Sequence, residues 1–405
     1  MIPAGVSRTL VGMLAVTALG CGDGGTGSGP VPPPASLRIE PIDSILTEGG
    51  TRQLTATYLD STGHPVPGET ITWSSEEPSV ALVSRNGLVS ARVPGAVLIT
   101  ARGAGFWAQQ GMTVIDSQIV TRLDLHASPF GIAVSGTTAY LTLPLADSVR
   151  VLNTTTATVV TTLAIGSAPT AVVFNPSGSR AYVANQGGTL GVIDPSSNTV
   201  LTPAVLPGGA YAAVVSSDGG TIWVTMPGRR QVAAVDAATL LVSDSGPAPV
   251  VSQGLASDPT LPRLFVSGLG GFIGDTNLYE LDAVTLDSVR SWLIDGWAST
   301  LVVAPDGTRL FVADQSAHLT VIPLSTGIPQ PAMPLVGGAQ GITLSPDGTK
   351  LAISEDRGVV EVFDVATLQL VKTINVGGIP RGLAYTPSGS RLLVANEAGW
   401  VDFIR

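Results

Sequence analysis

The chain has 405 residues, 44% of them apolar and only 12% charged, with 48 glycines, 30 prolines and a net charge of −10. That length allows more than one domain, and so many turn formers set among Val, Thr and Ser favour short strands over helices. Only two lysines occur, Lys350 and Lys372. Phosphate binding needs clustered cations, so the composition argues against a nucleic-acid partner.

The first segment is MIPAGVSRTLVGMLAVTALGCG. Arg8 and the amino terminus give a weak positive region, Leu10 to Gly20 is a short apolar run, and a small residue precedes Cys21. This pattern predicts a signal peptide over residues 1–20, too short to stay as a membrane-spanning helix. ALGC resembles a bacterial lipobox, although Ala18 stands where Leu is preferred. The resemblance implies that Cys21 is lipidated and anchors the chain to a membrane of the bacterial envelope. An ordinary signal peptide followed by an incidental cysteine is the alternative. Cys21 is the one cysteine, so no intramolecular disulfide forms. Residues 21–35, GDGGTGSGPVPPPA after the cysteine, read as a Gly/Ser/Pro linker.

Residues 36–116 read as a small β-sandwich. Runs such as Gln53 to Tyr58 and Ala96 to Ala101 alternate apolar and polar residues between turn signals. LTATYLDSTG, TWSSEEPSVALVSRNGLVSA and the later GAVLITA resemble a group 2 bacterial immunoglobulin-like domain. The resemblance implies an immunoglobulin-like fold with Trp73 as a core anchor, used as a spacer or adhesion module.

From residue 117 to 405 the chain repeats. The repeat aligns at Pro129, Pro169, Ala210, Ser252, Ala298, Ala339 and Pro380, at spacings of 40 to 46 residues. A period of this size, with four strand-like runs in each repeat, predicts a seven-bladed β-propeller and an all-β chain. PTAVVFNPSGSRAYVAN, ASTLVVAPDGTRLFVAD, AQGITLSPDGTKLAISE and PRGLAYTPSGSRLLVAN resemble the YVTN family of propeller repeats. The first repeat is shorter at its turn, and Leu261 replaces the turn glycine in the fourth. Asp218, Asp306 and Asp347 in the Pro/Ser-Asp-Gly turns read as turn formers, and Asp194, Asp236, Asp282 and Asp364 as caps of later turns. The seventh repeat ends at its third strand, GWVDFI. SQIVTRLDLHASP (117–129) aligns without a gap to LQLVKTINVGGIP (368–380), so residues 118–125 are expected to supply the missing fourth strand.

Inner strands line a propeller's channel. The second aligned position of each repeat holds Phe130, Thr170, Tyr211, Gln253, Ser299, Gln340 and Arg381, a chemically varied ring and the first candidate for ligand contact. The next position is small, as strands converging on one axis require. Loops between strands two and three are expected at the same mouth. They carry Asn185, Arg229, Arg230, Asp314, His318, Glu355, Asp356, Arg357, Asn396 and Glu397, with Phe272 and Asp275 on the longest loop, in the fourth blade. No HExxH or other short His/Cys metal motif and no Gly-x-Ser-x-Gly elbow appears, so no cofactor or metal is expected.

Three functions follow as expectations. The first is an envelope-anchored lipoprotein whose propeller binds a protein, glycan or small ligand. The second is a hydrolase like the lactonase-type propellers, with Glu355, Asp356 and Arg381 converging on the channel. The third is DNA binding through Arg229, Arg230 and Arg381, as in periplasmic propellers of this type. For the anchor, Cys21→Ser should move the protein from the membrane fraction to the soluble fraction, and an unchanged distribution would remove the anchor from the account.

Overall fold

In the computed structural model the described residues are 32–405, without 43, 69, 269–275 and 295. The proposed signal peptide, Cys21, Phe272 and Asp275 lie outside them. Contacts divide the chain into two compact units between Ser117 and Gln118.

The first unit is built from β-strands that pair antiparallel with one exception. Ile45–Thr47, Phe106–Ile115, Gly95–Gly103 and Thr72–Ser75 form one sheet, in which Ile45–Thr47 runs parallel to Phe106–Ile115. Thr51–Gln53, Leu88–Ala91 and Ala81–Val83 form a second, and Ser36–Glu40 pairs with Thr55–Leu59. Alternation along these strands turns Leu37, Ile39, Val89, Ile99, Ala101 and Met112 into one core. Trp73 packs against that core while only half-buried.

Among the described residues of the second unit are seven four-stranded antiparallel sheets. Blades one to six each take four strands that follow one another in the chain. Blade one runs Ile132–Ser135, Thr138–Leu143, Ser148–Asn153 and Thr158–Ala164, and blade six runs Ala339–Leu344, Lys350–Glu355, Val359–Asp364 and Leu370–Asn375. Each inner strand packs on the inner strand of the next blade, and Ile132–Ser135 of blade one packs on Pro380–Tyr385 of blade seven. The sheets therefore form a closed ring, a seven-bladed propeller. Apolar side chains of neighbouring blades interlock, as Tyr182, Leu190, Ile222 and Val224 do between blades two and three.

Turn chemistry repeats with the blades. The Asp306 carboxylate accepts from the Thr308 amide at 3.0 Å and that of Asp347 from the Thr349 amide at 3.1 Å. Asp236, Asp282 and Asp364 accept in the same way from amides two or three residues on. These bonds hold the carboxyls below the ordinary carboxylate range.

Blade seven is completed from the other end of the unit. Ile119–Asp124 lies antiparallel to Trp400–Ile404, with Ile119 opposite Ile404 and Asp124 opposite Trp400. The order in this blade is 119–124, 400–404, 392–396, 380–385, from rim to axis. Arg122 fastens the seam. Its Nε and one terminal nitrogen donate to the two Asp402 oxygens at 2.7 and 2.8 Å, and the same nitrogen reaches the Val376 carbonyl at 2.6 Å. The guanidinium lies 4.3 Å from the Trp400 ring centroid, and the Trp400 indole donates to Asp402 at 3.1 Å. Asp402 is fully buried. Burial pushes its carboxyl up, and Arg122 pulls it back. Removing one partner would strand the other charge in the sheet. Asp402→Ala should lower propeller stability by about 3–5 kcal/mol in urea unfolding, whereas Arg122→Met with Asp402→Leu should recover most of the loss. Equal stability of Asp402→Ala and wild type would show that the seam does not hold the ring.

Candidate functional site

The ring positions meet. Phe130, Thr170, Tyr211, Gln253, Ser299, Gln340 and Arg381 all line one cavity of about 280 Å³ at the centre of the propeller. Their side chains point there because each inner strand opens on a bulge. The pairing register slips at Thr170, Gln253, Ser299, Gln340 and at Arg381–Gly382, so two inner-strand residues face one residue of strand two. Blades one and three keep the same bonds ahead of their assigned strands. The Phe130 amide donates to the Thr142 carbonyl while the Thr142 amide donates to Gly131, and Tyr211, Ala212 and Thr225 repeat this arrangement. A bulge re-aims a side chain and tightens the twist, which brings one residue per blade to the axis.

The residue after the ring position is small for a steric reason. A Cβ on Gly131 would lie 2.3 Å from the Thr170 carbonyl oxygen of blade two, and one on Gly341 would lie 2.4 Å from the Arg381 carbonyl oxygen of blade seven. Hydroxyl groups bridge the same gaps. Thr142 donates to the Thr170 carbonyl at 3.0 Å, Thr170 to Tyr211 at 2.6 Å and Ser299 to Ala339 at 2.9 Å. Thr170 and Ser299 thus serve as inter-blade ties as well as lining.

The remaining lining divides by chemistry. Phe130 and Tyr211 meet edge to face, their centroids 6.1 Å apart at 83°. The Arg381 guanidinium lies 5.2 Å from the Phe130 centroid, donates to the Gln340 side chain and pairs with Glu397 at 3.0 Å. Burial pushes the Tyr211 phenol up, opposed by the Arg381 charge. On the blade-four and blade-five side, the Gln315 side chain donates to Gln253 at 3.4 Å. Gln315 also lines the cavity and lies outside the ring positions named from sequence.

His318 and Glu397 are half-buried, and the other loop residues divide into two groups. Arg229, Arg230, Asp356 and Arg357 are exposed, and Arg229 spends its Nε on the Pro207 carbonyl at 2.6 Å. Asn185, Asp314, Glu355 and Asn396 are not loop contacts: they close strand two of their blades and are fully buried or nearly so. Asn396 shows their work. Its oxygen accepts from the Ile379 and Ala398 amides at 3.0 and 3.1 Å, and its nitrogen donates to the Gly377 carbonyl at 2.7 Å. The amide thereby ties the segment leading into a blade to the hairpin beside it. Asp314 only accepts, taking the Ser316 and His318 amides of the hairpin that follows it at 2.8 and 3.0 Å.

Glu355 is the outlier of this group. It accepts from the Gly337 amide and lies against Glu361, which is also buried. Burial first, and then Glu361, push the Glu355 carboxyl from 4.5 up to about 8. Neither glutamate lines the cavity, and neither does Asp356. Among the described residues, no three His, Cys, Asp or Glu side chains gather as they would around a metal ion.

Residues 35–102 match the bacterial Ig-like domain (group 2) family model. No curated protein matches the sequence. Among solved structures, Kuenenia stuttgartiensis hydrazine synthase is similar in fold, with a TM-score of 0.62 over 71% of this chain and 98% of that one. The two are 19% identical, so the likeness is one of fold.

The buried glutamate pair sets a pH dependence. Glu355 keeps its proton in the fold at pH values where the unfolded chain has lost it. Its contribution to stability is whole below about pH 4.5 and is lost as pH rises toward about 8. Glu355→Gln, which carries a neutral amide as Asn185 and Asn396 do, should flatten that slope and raise stability at pH 8 by at least about 1.4 kcal/mol, the value of one pKa unit. Urea unfolding from pH 5 to pH 9 measures it, and identical slopes for the two proteins would contradict the assignment.

Proposed function

We propose that this chain is a binding lipoprotein of the bacterial envelope. Lipid on Cys21 anchors it, the immunoglobulin-like unit acts as a spacer, and the YVTN-type propeller takes a small ligand, or the end of a larger one, at its channel. The observation that carries this reading is the convergence of one residue from every blade on one cavity. Five of these residues, Phe130, Tyr211, Gln253, Gln340 and Arg381, bring aromatic, amide and cationic groups together, as a recognition surface needs and a purely structural ring does not. At about 280 Å³ the cavity is just below the range of drug-sized ligand sites, about 300 to 1,000 Å³, so it suits a small ligand.

The hydrolase reading called for Glu355, Asp356 and Arg381 to meet. Only Arg381 lines the channel, and it is already held by Glu397 and Gln340. The DNA reading called for Arg229 and Arg230 to join Arg381, and these two stand on the exposed turn of blade three, outside the cavity. Neither alternative gains a specific observation.

Thermal shift against a library of small metabolites tests the binding site. A ligand at a hundred times its Kd stabilises the native state by about 2.7 kcal/mol. Hits should raise the Tm of the wild type by several degrees and leave Arg381→Ala and Gln340→Ala near their own baselines. Hits that stabilise all three proteins equally would place the site elsewhere.

A further inference from the structure

The lining of the channel also restricts the kind of ligand it would suit. Charge is the first constraint. Among the described residues that line the channel, Arg381 is the only one with a charged side chain, and Glu397 lies 3.0 Å from its guanidinium. An anion would have to share the guanidinium with a carboxylate already in place, and a cation would meet the guanidinium. A neutral ligand leaves the pair intact.

Polarity is the second. Gln253, Gln315 and Gln340 bring three primary amides to a cavity of about 280 Å³. Gln253 and Gln315 touch each other only through one long bond of 3.4 Å, which leaves most of their donors and acceptors for a guest. A wholly apolar guest would desolvate these groups and satisfy none of them. The ligand therefore needs several hydroxyl or amide groups on one side.

Shape is the third. Phe130 and Tyr211 stand at 83° to each other, so they present one ring face and one ring edge rather than a slot with two parallel faces. Arg381 already covers Phe130 on one side. A flat heteroaromatic ring gains most between parallel faces. A puckered ring with an apolar C–H face gains from a single aromatic face.

Trp297, with 55% of its surface exposed, is not itself a lining residue of the cavity but is bonded through its backbone to one that is. It lies two residues before Ser299 in the segment leading into blade five, and its carbonyl accepts from the Gln315 amide at 3.0 Å. This backbone bond sets the Trp297 main chain next to that of Gln315, whose side chain reaches Gln253 on the amide side of the channel.

We infer that the channel mouth binds a neutral sugar, with one ring in the cavity against Phe130 or Tyr211 and the Gln253–Gln315 amides, and a second ring over Trp297. This deepens the reading of the mouth as a binding site and rests on it. Isothermal titration of the full chain with glucose, N-acetylglucosamine, cellobiose and chitobiose tests it, with adenosine and succinate as the flat and the anionic comparison probes. At least one of the four sugars should bind saturably, about tenfold more weakly to Gln253→Ala and to Gln315→Ala, each checked for an unchanged Tm. Trp297→Ala should weaken the disaccharide and leave its monosaccharide unchanged. Binding of succinate or adenosine that the same variants abolish, with no sugar bound, would overturn the sugar while keeping the mouth as the site. Sugar binding that none of the variants alters would overturn both. Absence of binding by all four sugars overturns the sugar inference, and the thermal-shift library then decides the mouth by itself.

Discussion

A ring of sheets has to close, and here closure depends on a strand borrowed from the far end of the propeller sequence. Blade seven has its inner three strands from residues 380–404 and its rim strand from 119–124. Without that pairing, Trp400–Ile404 would be an open edge with its backbone groups unpaired. The seam is more than a ladder of backbone bonds. Leu125, Leu141, Leu393 and Phe403 pack blade seven against blade one, and Arg122, Asp402 and Trp400 form a buried polar lock beside them. Everything at the axis inherits this closure. The Gly382 amide of blade seven donates to the Phe130 carbonyl of blade one at 2.9 Å, so the last pair of mouth residues is placed only when the ring is shut.

Much of this was legible in the sequence because a propeller repeats. The recurrence at Pro169, Ala298, Ala339 and Pro380 exposes the blade length, and the gapless match of 117–129 to 368–380 identifies the closing strand. The ring positions could be named because they fall at one place in each repeat. The reason they point inward was hidden. A bulge leaves no residue type as its mark, since Thr170, Gln253, Ser299 and Gln340 share nothing but their place in the register.

Asn185, Asp314, Glu355 and Asn396 show a different limit. In the sequence they look like polar residues at the start of loops, where contacts with a partner are expected. In the fold they close strand two, and their heads turn under the segment that leads into the blade. The cue was their repetition: a polar residue at the same spot in blades two, five, six and seven serves the blade, not a ligand. Glu355 departs furthest from this common task. An amide at that place donates and accepts at once, whereas a carboxylate only accepts, and a second acid at Glu361 makes ionisation harder still. Trp297 and Gln315 escaped notice for the opposite reason. They belong to connecting segments that differ from blade to blade, so no alignment of repeats singles them out.

The same contrast explains where a binding function can sit. Most positions of a blade answer to the neighbouring blades. The residue after each ring position faces the next blade's backbone, as Gly131 and Gly341 do, and the apolar positions of strands two and three fill the space between sheets. The bulged residue is released from the ladder and projects into the channel, so its side chain is the least constrained by the fold. Where the chain still uses it structurally, at Thr170 and Ser299, the residue is a short hydroxyl that ties blades together. Where it does not, the ring carries Phe, Tyr, Gln and Arg. Within the inner strands, variation at the one position that the repeat leaves free is what a scaffold shaped for recognition would display.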